Sequence, residues 1–259
     1  MADERTGKLS PVAGVAAWTT RLMLEVGSDR SATRAREDYV KAIYQLGAAG
    51  PVRAADVARH LGVTPVSVSK AKRSLERDGL LMPSGKPTDH LTLSPRGSEL
   101  AVGMIRRHRL LETFLYRDLD VPIDLVHAEA ERIEHAISDD IARRLAKHMG
   151  FPACDPHGHE IPYGAQDAPR AQLPSLAAMT APCDIRVASL DDRNAGALRE
   201  LAAAGVLPGL EARLLAIEDG APTLAFDGRS IRLNATLAGL VRVVAHDRAA
   251  RTPRDAQTI

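Results

Sequence analysis

Two short helical segments joined by a tight turn constrain the fold of this chain more than any other feature. AADVARHLGV (54–63) has apolar residues at helical spacing and breaks at Gly62. TPVSVSKAKRSLERDGLL (64–81) begins with Thr64 as N-cap and Pro65 in the first turn. Two helices joined by a three-residue turn that contains glycine are typical of a helix-turn-helix unit, and REDYVKAIYQL (36–46) predicts a further helix before them.

A short β-hairpin is predicted directly after the second of these helices. LLM (80–82) and HLTL (90–93) are apolar enough for two strands, and PSGKPTD between them has the glycine and proline content of a turn. Three helices followed by such a hairpin predict a winged helix-turn-helix.

The local charge balance favours double-stranded DNA as the partner of this region. The net charge of the whole chain is only +1, so a DNA-binding surface has to be local. Residues 51–90 hold seven Lys/Arg against four Asp/Glu, with most of the excess on the third helix. Ser and Thr also favour helix N-termini for capping alone, but the cap, the turn, the basic excess and the wing all agree with DNA binding. The candidate DNA-contacting residues are Thr64, Ser67, Ser69, Lys70, Arg73 and Lys86.

Three more helices are predicted between residues 95 and 150. The first runs from Pro95 to about Arg117, the second continues through VHAEAERIEHAI to Ser138, and the third, SDDIARRLAKHMG, stops at Gly150. Consecutive helices with aliphatic stripes and short loops predict a helical bundle. The stripe on the middle helix is suited either to the core or to a two-fold partner surface, and its members are Val126, Ala130, Ile133 and Ile137.

The middle helix also carries a row of carboxylates and imidazoles. His127, Glu131, Glu134 and His135 span an arc of only about 100°, which lies beside the apolar stripe. A solvated face would normally lie opposite that stripe and include Lys or Arg partners. Carboxylates without a neighbouring cation repel each other, and a divalent cation removes that repulsion. The row therefore indicates a metal site.

Two other helices offer further ligands for a metal. His108 and Glu112 are spaced i, i+4 on the preceding helix, so they share one face. Asp38 lies on the first helix of the DNA-binding part, next to Glu37. A lone His-x-x-x-Glu pair is weak evidence, whereas two such helices in tandem behind a winged helix are much stronger.

Short β-like segments dominate the C-terminal part. CDIRVASL, LEARLLAI, PTLAF, SIRL and GLVRVVA are predicted strands, and LRELAAAG is a predicted helix between the first two. Short strands at this spacing predict a small SH3-like β-barrel. The fold class is therefore mainly α with a small β domain. The predicted parts are an N-terminal extension with one amphipathic helix (1–30), a winged helix-turn-helix domain (31–97), a helical metal-binding and dimerisation domain (98–150), a linker (151–180), an SH3-like domain (181–248) and a tail (249–259).

The cysteines and the first apolar run bear on location. Cys154 and Cys183 have no motif spacing, which fits a reducing cytoplasm. VAGVAAW (12–18) is too short for a membrane span and has the wrong flanks for a signal peptide. We therefore expect a cytoplasmic protein with no membrane partner. The segment CDPHGHE combines Cys154 with His157 and His159, but its spacing matches no zinc template, so no separate zinc site is predicted there.

Taken with their order, these segments resemble the diphtheria toxin repressor and manganese transport regulator family of metal-dependent repressors. REDYVKAIYQL is similar to the family's first helix, and VTPVSVSKAKRSLERDGLL to its recognition helix and wing entry. RHRLLETFL and VHAEAERIEHAISDDIARRL resemble its two metal-bearing helices. The resemblance covers residues 35–145 well and residues 180–246 more loosely, where LRELAAAGVLPGLEARLL is similar to the SH3-like, ferrous-transport-associated domain of long members.

The resemblance implies two metal sites. A primary regulatory site falls on Asp38, Glu131, Glu134 and His135, and an ancillary site on His108, Glu112 and His127. In short manganese-type members the residue matching His108 instead joins a binuclear primary site, so either arrangement stays open for this chain.

Two departures from the family pattern bear on these sites. Lys41 stands where short manganese-sensing members place a glutamate, which argues against a binuclear copy of the primary site. Long members donate an acid and an amide from the SH3-like domain to the ancillary metal. Alignment places Asn194 and Ala197 at those positions, with Asp191 or Asp192 as substitutes.

The sequence thus predicts a metal-dependent transcriptional repressor, not an enzyme, that binds a palindromic operator as a homodimer and controls metal homeostasis genes. Mn(II) is the predicted co-repressor because the primary donors are oxygen and nitrogen, and because iron-responsive relatives carry sulfur at the positions of Asp38 and Glu131. Fe(II) is the alternative, with Co, Ni or Zn as surrogates in vitro. Two other classes remain as hypotheses: a carboxylate-bridged metalloenzyme, and a winged-helix repressor that senses an organic ligand.

Overall fold

The computed structural model describes residues 28–83, 90–164 and 173–245. Most of the predicted N-terminal extension, the tip of the wing with Lys86, part of the linker and the tail lie outside these ranges. The helices are α1 (Ser28–Gly47), α2 (Ala54–Leu61), α3 (Pro65–Arg77), α4 (Pro95–Asp118), α5 (Val126–Ile133), α6 (Asp139–His148), α7 (Ala195–Ala203) and α8 (Ala235–Leu240). The strands are β1 (Val52–Arg53), β2 (His90–Leu91), β3 (Cys183–Leu190), β4 (Glu211–Glu218), β5 (Ala221–Phe226), β6 (Arg229–Arg232) and β7 (Val241–Ala245).

The first three helices form the predicted helix-turn-helix. Gly62 ends α2 in the left-handed region with a φ of 65°, which glycine adopts without steric cost. The hydroxyl of Thr64 then caps α3 by accepting a hydrogen bond of 3.2 Å from the Ser67 amide. Val57, Val68 and Leu75 are fully buried in the core of this unit. Because α3 packs on the core through Val68 and Leu75, its opposite face is left accessible to a partner.

The wing differs in detail from the predicted hairpin. The segment 80–82 pairs with the returning segment as predicted, through the Leu81–Leu93 bridge and a 2.9 Å hydrogen bond from the Met82 amide to the Thr92 carbonyl. In addition, β2 pairs with β1 (Val52 opposite Leu91). Strand β1 lies between the first two predicted helices, where the sequence analysis predicted no strand. Pairing with a chain segment far away in sequence supplies its hydrogen bonds, and no local pattern encodes that partner.

Helix α4 links the DNA-binding part to the helical part. It begins at Pro95 as predicted, and Ser94 caps it by accepting from the Gly97 amide at 3.0 Å. α1, α5 and α6 all pack against α4. The predicted end of α5 at Ser138 is wrong: the helix stops at Ile133, and Glu134 and His135 lie in the following turn. Ser138 caps α6, because its hydroxyl accepts from the Ile141 amide at 3.3 Å.

The C-terminal part is a five-stranded antiparallel sheet with the order β6-β5-β4-β3-β7. All five predicted strands and the predicted helix α7 are present, and their apolar side chains surround Leu214, Leu224 and Ile185 in one core. Closure into a barrel is not seen among the described strands.

The segment around His157 and Gly158 contacts the sheet domain and connects it to the helical part. The Leu190 amide donates to the His157 carbonyl at 2.9 Å. A Cβ on Gly158 would lie 2.1 Å from the Ala188 carbonyl oxygen, so this segment approaches β3 as closely as only glycine permits. Arg199 of α7 also pairs with Asp124, before α5, at 2.6 Å. No helix in the described ranges is long and apolar enough to cross a membrane.

Candidate metal centres

A first group of metal-ligating side chains joins α1 to the turn after α5. His135 Nε2 lies 3.0 Å from Asp38 Oδ1 and 3.6 Å from Glu134 Oε1. The other ring nitrogen, Nδ1, donates to Glu37 at 2.6 Å. A carboxylate that accepts from one imidazole nitrogen orients the ring and leaves the other nitrogen toward the site. Glu37 was noted in the sequence only as a neighbour of Asp38, and the structure gives it this orienting role.

The carboxylates around His135 also set its protonation. Burial alone would lower the pKa of His135, but the hydrogen bonds to Asp38 and Glu37 outweigh it and raise the pKa to about 9. The imidazole is therefore protonated at neutral pH when no metal ion is bound. This is the behaviour of an anionic pocket that is built to hold positive charge.

A second group lies beside the first and shares Glu134 with it. His108, Glu131 and Glu134 offer ligand atoms within 4.8 Å of one another. The Lys41 ammonium lies between them, at 2.8 Å from Glu134 Oε1 and 3.3 Å from Glu131 Oε1. The structure thus brings Asp38, Glu134 and His135 together, whereas the Glu131 carboxylate contacts Lys41.

A third group gathers the predicted ancillary ligands at the contact with the sheet domain. His108 Nε2, His127 Nδ1 and Glu112 Oε1 lie 2.9–3.1 Å from one another. Asp192 Oδ2, from the segment before α7, approaches His127 Nδ1 at 3.5 Å. Of the candidates in the sheet domain, Asp192 is therefore the one that reaches the cluster.

The other candidates in the sheet domain have different roles. Asn194 caps α7, because its side chain accepts from the Ala197 amide at 3.0 Å. Asp191 pairs with Arg193 at 2.5 Å. The side chains of Asn194 and Asp191 are therefore engaged within their own segment. Asp192 instead faces the imidazoles of His127 and His159.

His108 lies between the second and third groups and contacts both. Its Nδ1 donates to Glu134 at 2.6 Å, and its Nε2 faces Glu112 at 2.9 Å. Burial lowers the pKa of His108, but the Glu112 and Glu134 carboxylates outweigh it and raise the pKa to about 9. Burial likewise opposes ionisation of Glu112, yet His108 holds the pKa of that carboxyl well below its usual range.

The segment before the sheet domain adds ligands that the sequence did not assign to a site. Asp155, His157 and His159 come together, and His159 Nδ1 lies 3.5 Å from Asp192. Cys154, which the sequence placed with these histidines, is exposed and is not in the group. His157 Nδ1 lies 3.6 Å from Glu112, so this group adjoins the third one. The sequence signal was the spacing of acid and imidazole in CDPHGHE, but only the packed fold brings it to Glu112.

The donor atoms fit a hard or borderline divalent cation. Each group consists of carboxylate oxygens and imidazole nitrogens, without sulfur. Glu112 Oε2 is buried and has no hydrogen-bond partner among the described residues. A buried carboxylate oxygen without a donor is costly unless a cation or water satisfies it, so the third group suits an additional positive charge.

The candidate DNA-contacting residues lie on one exposed helix. Ser67, Ser69, Lys70 and Arg73 are all exposed on α3, but the Ser69 hydroxyl donates to the Pro65 carbonyl at 3.0 Å. Val66 is an exposed residue that the sequence did not single out, with 78% of its surface accessible at the start of α3. An apolar side chain there can contact a thymine methyl group in a major groove.

The apolar stripe of α5 divides between core and surface. Val126 and Ala130 are fully buried against Leu111 and Leu115 of α4, which assigns that half of the stripe to the core. Ile133 remains 38% exposed. The helical part also exposes Tyr116, Leu119, Leu125 and Ile141. Exposed apolar side chains on a helical part that pairs with a second copy are candidates for the interface.

Comparison with known proteins finds repressors both by sequence and by structure. The family models "Iron dependent repressor, N-terminal DNA binding domain" and "Iron dependent repressor, metal binding and dimerisation domain" match residues 32–87 and 94–163. The iron-dependent repressor IdeR of Mycobacterium tuberculosis is 34% identical over 223 residues, covering 80% of this chain and 95% of the relative. The diphtheria toxin repressor of Corynebacterium diphtheriae is 31% identical over 219 residues, with coverage of 80% and 95%.

The structural neighbours include proteins described with other metals. A manganese-dependent transcriptional repressor in complex with manganese has a TM-score of 0.73 and 33% identity, covering 81% of this chain and 99% of that chain. ScaR with bound Cd²⁺ has a TM-score of 0.67 and 29% identity, with coverage of 81% and 98%.

Proposed function

This chain belongs to the diphtheria toxin repressor and manganese transport regulator family of metal-dependent transcriptional repressors, and we propose that its co-repressor is Mn(II) and that it controls metal homeostasis genes. The chain is a DNA-binding repressor whose partners are operator DNA and a second copy of itself. Its relatives are named as repressors, which argues against the hypothesis of a metalloenzyme. We retain the predicted division into domains and the cytoplasmic location as parts of the proposal.

One observation carries the proposed mechanism: ligand groups from the DNA-binding part and from the dimerisation part meet at His135. Asp38 belongs to α1, which packs against α2 and α3, whereas Glu134 and His135 follow α5. Asp38, Glu134 and His135 would hold a divalent cation there, which would supply the positive charge that these ligand groups share. Asp38 and Glu134 then fix α1 relative to α5, and Glu37 keeps the His135 ring in place.

Fixing α1 matters because two copies of α3 must enter DNA together. In a two-fold dimer, recognition helices enter successive major grooves when they are about 34–36 Å apart. Asp38 and Glu134 therefore favour a DNA-competent arrangement over others, which is a shift between populations.

The choice of Mn(II) over Fe(II) rests on the donors. Asp38, Glu134 and His135 supply oxygen and nitrogen, and Glu131 adds a further carboxylate next to them. Oxygen-rich sites suit Mn(II), whereas sulfur ligands favour softer metals. Fe(II) is the second candidate, because a relative at 34% identity is named as an iron-dependent repressor.

Anaerobic titration of metals against labelled operator DNA tests the identity of the co-repressor. At saturating metal we expect Mn(II) to give the highest operator affinity by fluorescence anisotropy, although Zn(II) or Co(II) can bind the protein more tightly. Asp38→Met combined with Glu131→Cys is expected to shift activation toward Fe(II), Co(II) or Ni(II). A wild-type protein that responds fully to Fe(II) and not to Mn(II) contradicts the oxygen-ligand argument. Operator binding that is equal with chelator and with metal would instead favour the organic-ligand alternative.

Lys70 is the sharpest test of DNA contact on α3. It is exposed on the face where the basic excess lies. If its ammonium neutralises one phosphate, Lys70→Met is expected to weaken operator binding and to reduce the slope of log affinity against log salt by about one unit. Lys147→Met removes the same charge from an exposed site on α6 and should leave the slope unchanged. An unchanged slope in the Lys70 variant removes it from the contact set.

A further inference from the structure

Lys41 is a buried cation placed among the side chains that would bind a metal ion. Its side chain is only 8% exposed. The ammonium lies 2.8 and 3.0 Å from the two oxygens of Glu134, 3.3 Å from Glu131 Oε1 and 3.4 Å from His108 Nδ1. The two carboxylates that could hold a cation in this position are therefore already paired with one, and the His108 ring lies against it.

The position that Lys41 occupies is separate from the one at His135. The Asp38, Glu134 and His135 ligands form one group, and His108, Glu131 and Glu134 form the other. The two groups share only Glu134. In the second group, the Glu134 side chain is only 1% exposed, whereas Glu131 at its side is 53% exposed. A buried carboxylate is strongly unfavourable unless positive charge compensates it. His108 donates to one oxygen of Glu134 at 2.6 Å, and the Lys41 ammonium, which contacts both oxygens, supplies the cation that lies between Glu134 and Glu131.

We propose that the Lys41 ammonium is the resident cation of the His108–Glu131–Glu134 position and so limits the primary centre to one metal ion, held at Asp38, Glu134 and His135. The inference rests on the proposed function, because it presumes that this primary centre binds a metal. It also explains why Glu131 contacts Lys41 and not the Asp38 group. A lysine is anchored to its helix and is never released, so this second position cannot report on metal concentration.

Removing the ammonium should open the second position to a metal ion. Lys41→Met deletes the charge and leaves an unbranched apolar side chain that is one heavy atom shorter. The wild type and the variant are both purified in Mn(II)-containing buffer, so that the carboxylates have a cation at every stage. Bound Mn(II) per chain is then counted by equilibrium dialysis and elemental analysis. We expect one more Mn(II) per chain in Lys41→Met than in the wild type.

Two controls assign the additional ion to this position. Lys147→Met removes a positive charge from an exposed site on α6 and should leave the count at the wild-type value. Adding Glu131→Gln to Lys41→Met removes a ligand and should return the count to that value. Because both positions share Glu134, the additional Mn(II) is close to the first, and electron paramagnetic resonance should show spin coupling that the wild type lacks.

The outcomes separate the inference from the proposed function. An unchanged Mn(II) count in folded Lys41→Met, or in Lys41→Gln as a second neutral variant, overturns the resident-cation role. An additional ion that persists in the double variant with Glu131→Gln also overturns it, because the ion is then held elsewhere. A wild-type protein that binds no Mn(II) contradicts the proposed function and not this inference alone.

Discussion

Replacing Glu134 with glutamine is expected to abolish metal-activated operator binding. Both oxygens of Glu134 are engaged: Oε1 and Oε2 accept from Lys41 at 2.8 and 3.0 Å, and Oε2 also accepts from His108 at 2.6 Å. Oε1 also faces His135 Nε2 at 3.6 Å, so the same carboxylate borders both cation positions. Burial opposes its ionisation, yet His108 and Lys41 keep the pKa of Glu134 below its usual value. Glutamine keeps the shape but has no charge for either cation.

The expected size of the effect follows from these contacts. Loss of a group that only supports a metal ligand typically lowers metal affinity 10–100-fold, so loss of Glu134 itself should exceed about 100-fold. The metal-free protein should also be less stable by about 3–5 kcal/mol, because a buried ammonium loses its main partner. Calorimetric Mn(II) titration and denaturant unfolding measure the two effects separately.

Matched variants keep this prediction specific. Glu129→Gln makes the same chemical change on the exposed side of α5, where Glu129 pairs with Arg132, and should leave Mn(II) and operator affinity unchanged. Asp38→Asn removes a partly exposed ligand at lower structural cost and should also weaken Mn(II) binding. Wild-type Mn(II) affinity in folded Glu134→Gln would remove Glu134 from the ligand set.

Glu134 shows how far local sequence could lead. Its spacing from His127, Glu131 and His135 on a helix was enough to predict a site on that face. The structure keeps that neighbourhood although α5 stops at Ile133, because the Glu134 amide still donates to the Ala130 carbonyl at 2.9 Å. Periodicity specifies which side chains share a face, and it depends little on the last residue of a helix.

The partners of those side chains required the folded chain. Asp192 approaches His127 from the sheet domain. The sequence offered Asp191 and Asn194 as well, and the fold excludes Asn194 because its side chain caps α7. His108 could not be assigned to one site from sequence, since its two ring nitrogens face different carboxylates. Such contacts join residues far apart in sequence, and alignment to a family pattern leaves them ambiguous by a few positions.

In the winged helix, too, the locally encoded elements were predicted and an element that depends on distant pairing was not. Capping by Thr64 and the glycine at position 62 are local signals, and the helices they bound are present as predicted. Strand β1 was missed because Val52 and Arg53 are ordered by pairing with β2, almost forty residues later, as Val52 opposite Leu91 indicates. A two-residue strand has no periodicity that could reveal it.

Replacing Ile133 with aspartate is expected to produce monomers that lose about 100-fold in affinity for a palindromic operator. The chain acts as a dimer, and Ile133 is the member of the α5 stripe that stays exposed while Val126 and Ala130 fill the core. Ile137 is a poorer probe, because it packs against two core clusters and its replacement would damage the fold. A charge at position 133 should be tolerated by the monomer and excluded from an apolar interface.

The loss of operator affinity is expected because dimerisation links the two DNA-binding domains that bind the two half-sites. Two DNA-binding domains joined in one dimer gain about 10²–10⁴ in affinity over either alone, and separated monomers forfeit that gain. Light scattering after size exclusion measures the mass, and anisotropy with a full operator and with a single half-site measures the gain. Leu215→Asp places the same charge at an exposed apolar position on β4 and should leave the dimer intact. If Ile133→Asp remains a dimer with a wild-type half-site ratio, the interface lies elsewhere on the helical part, and the exposed residues Leu119, Leu125 and Ile141 become the next to replace.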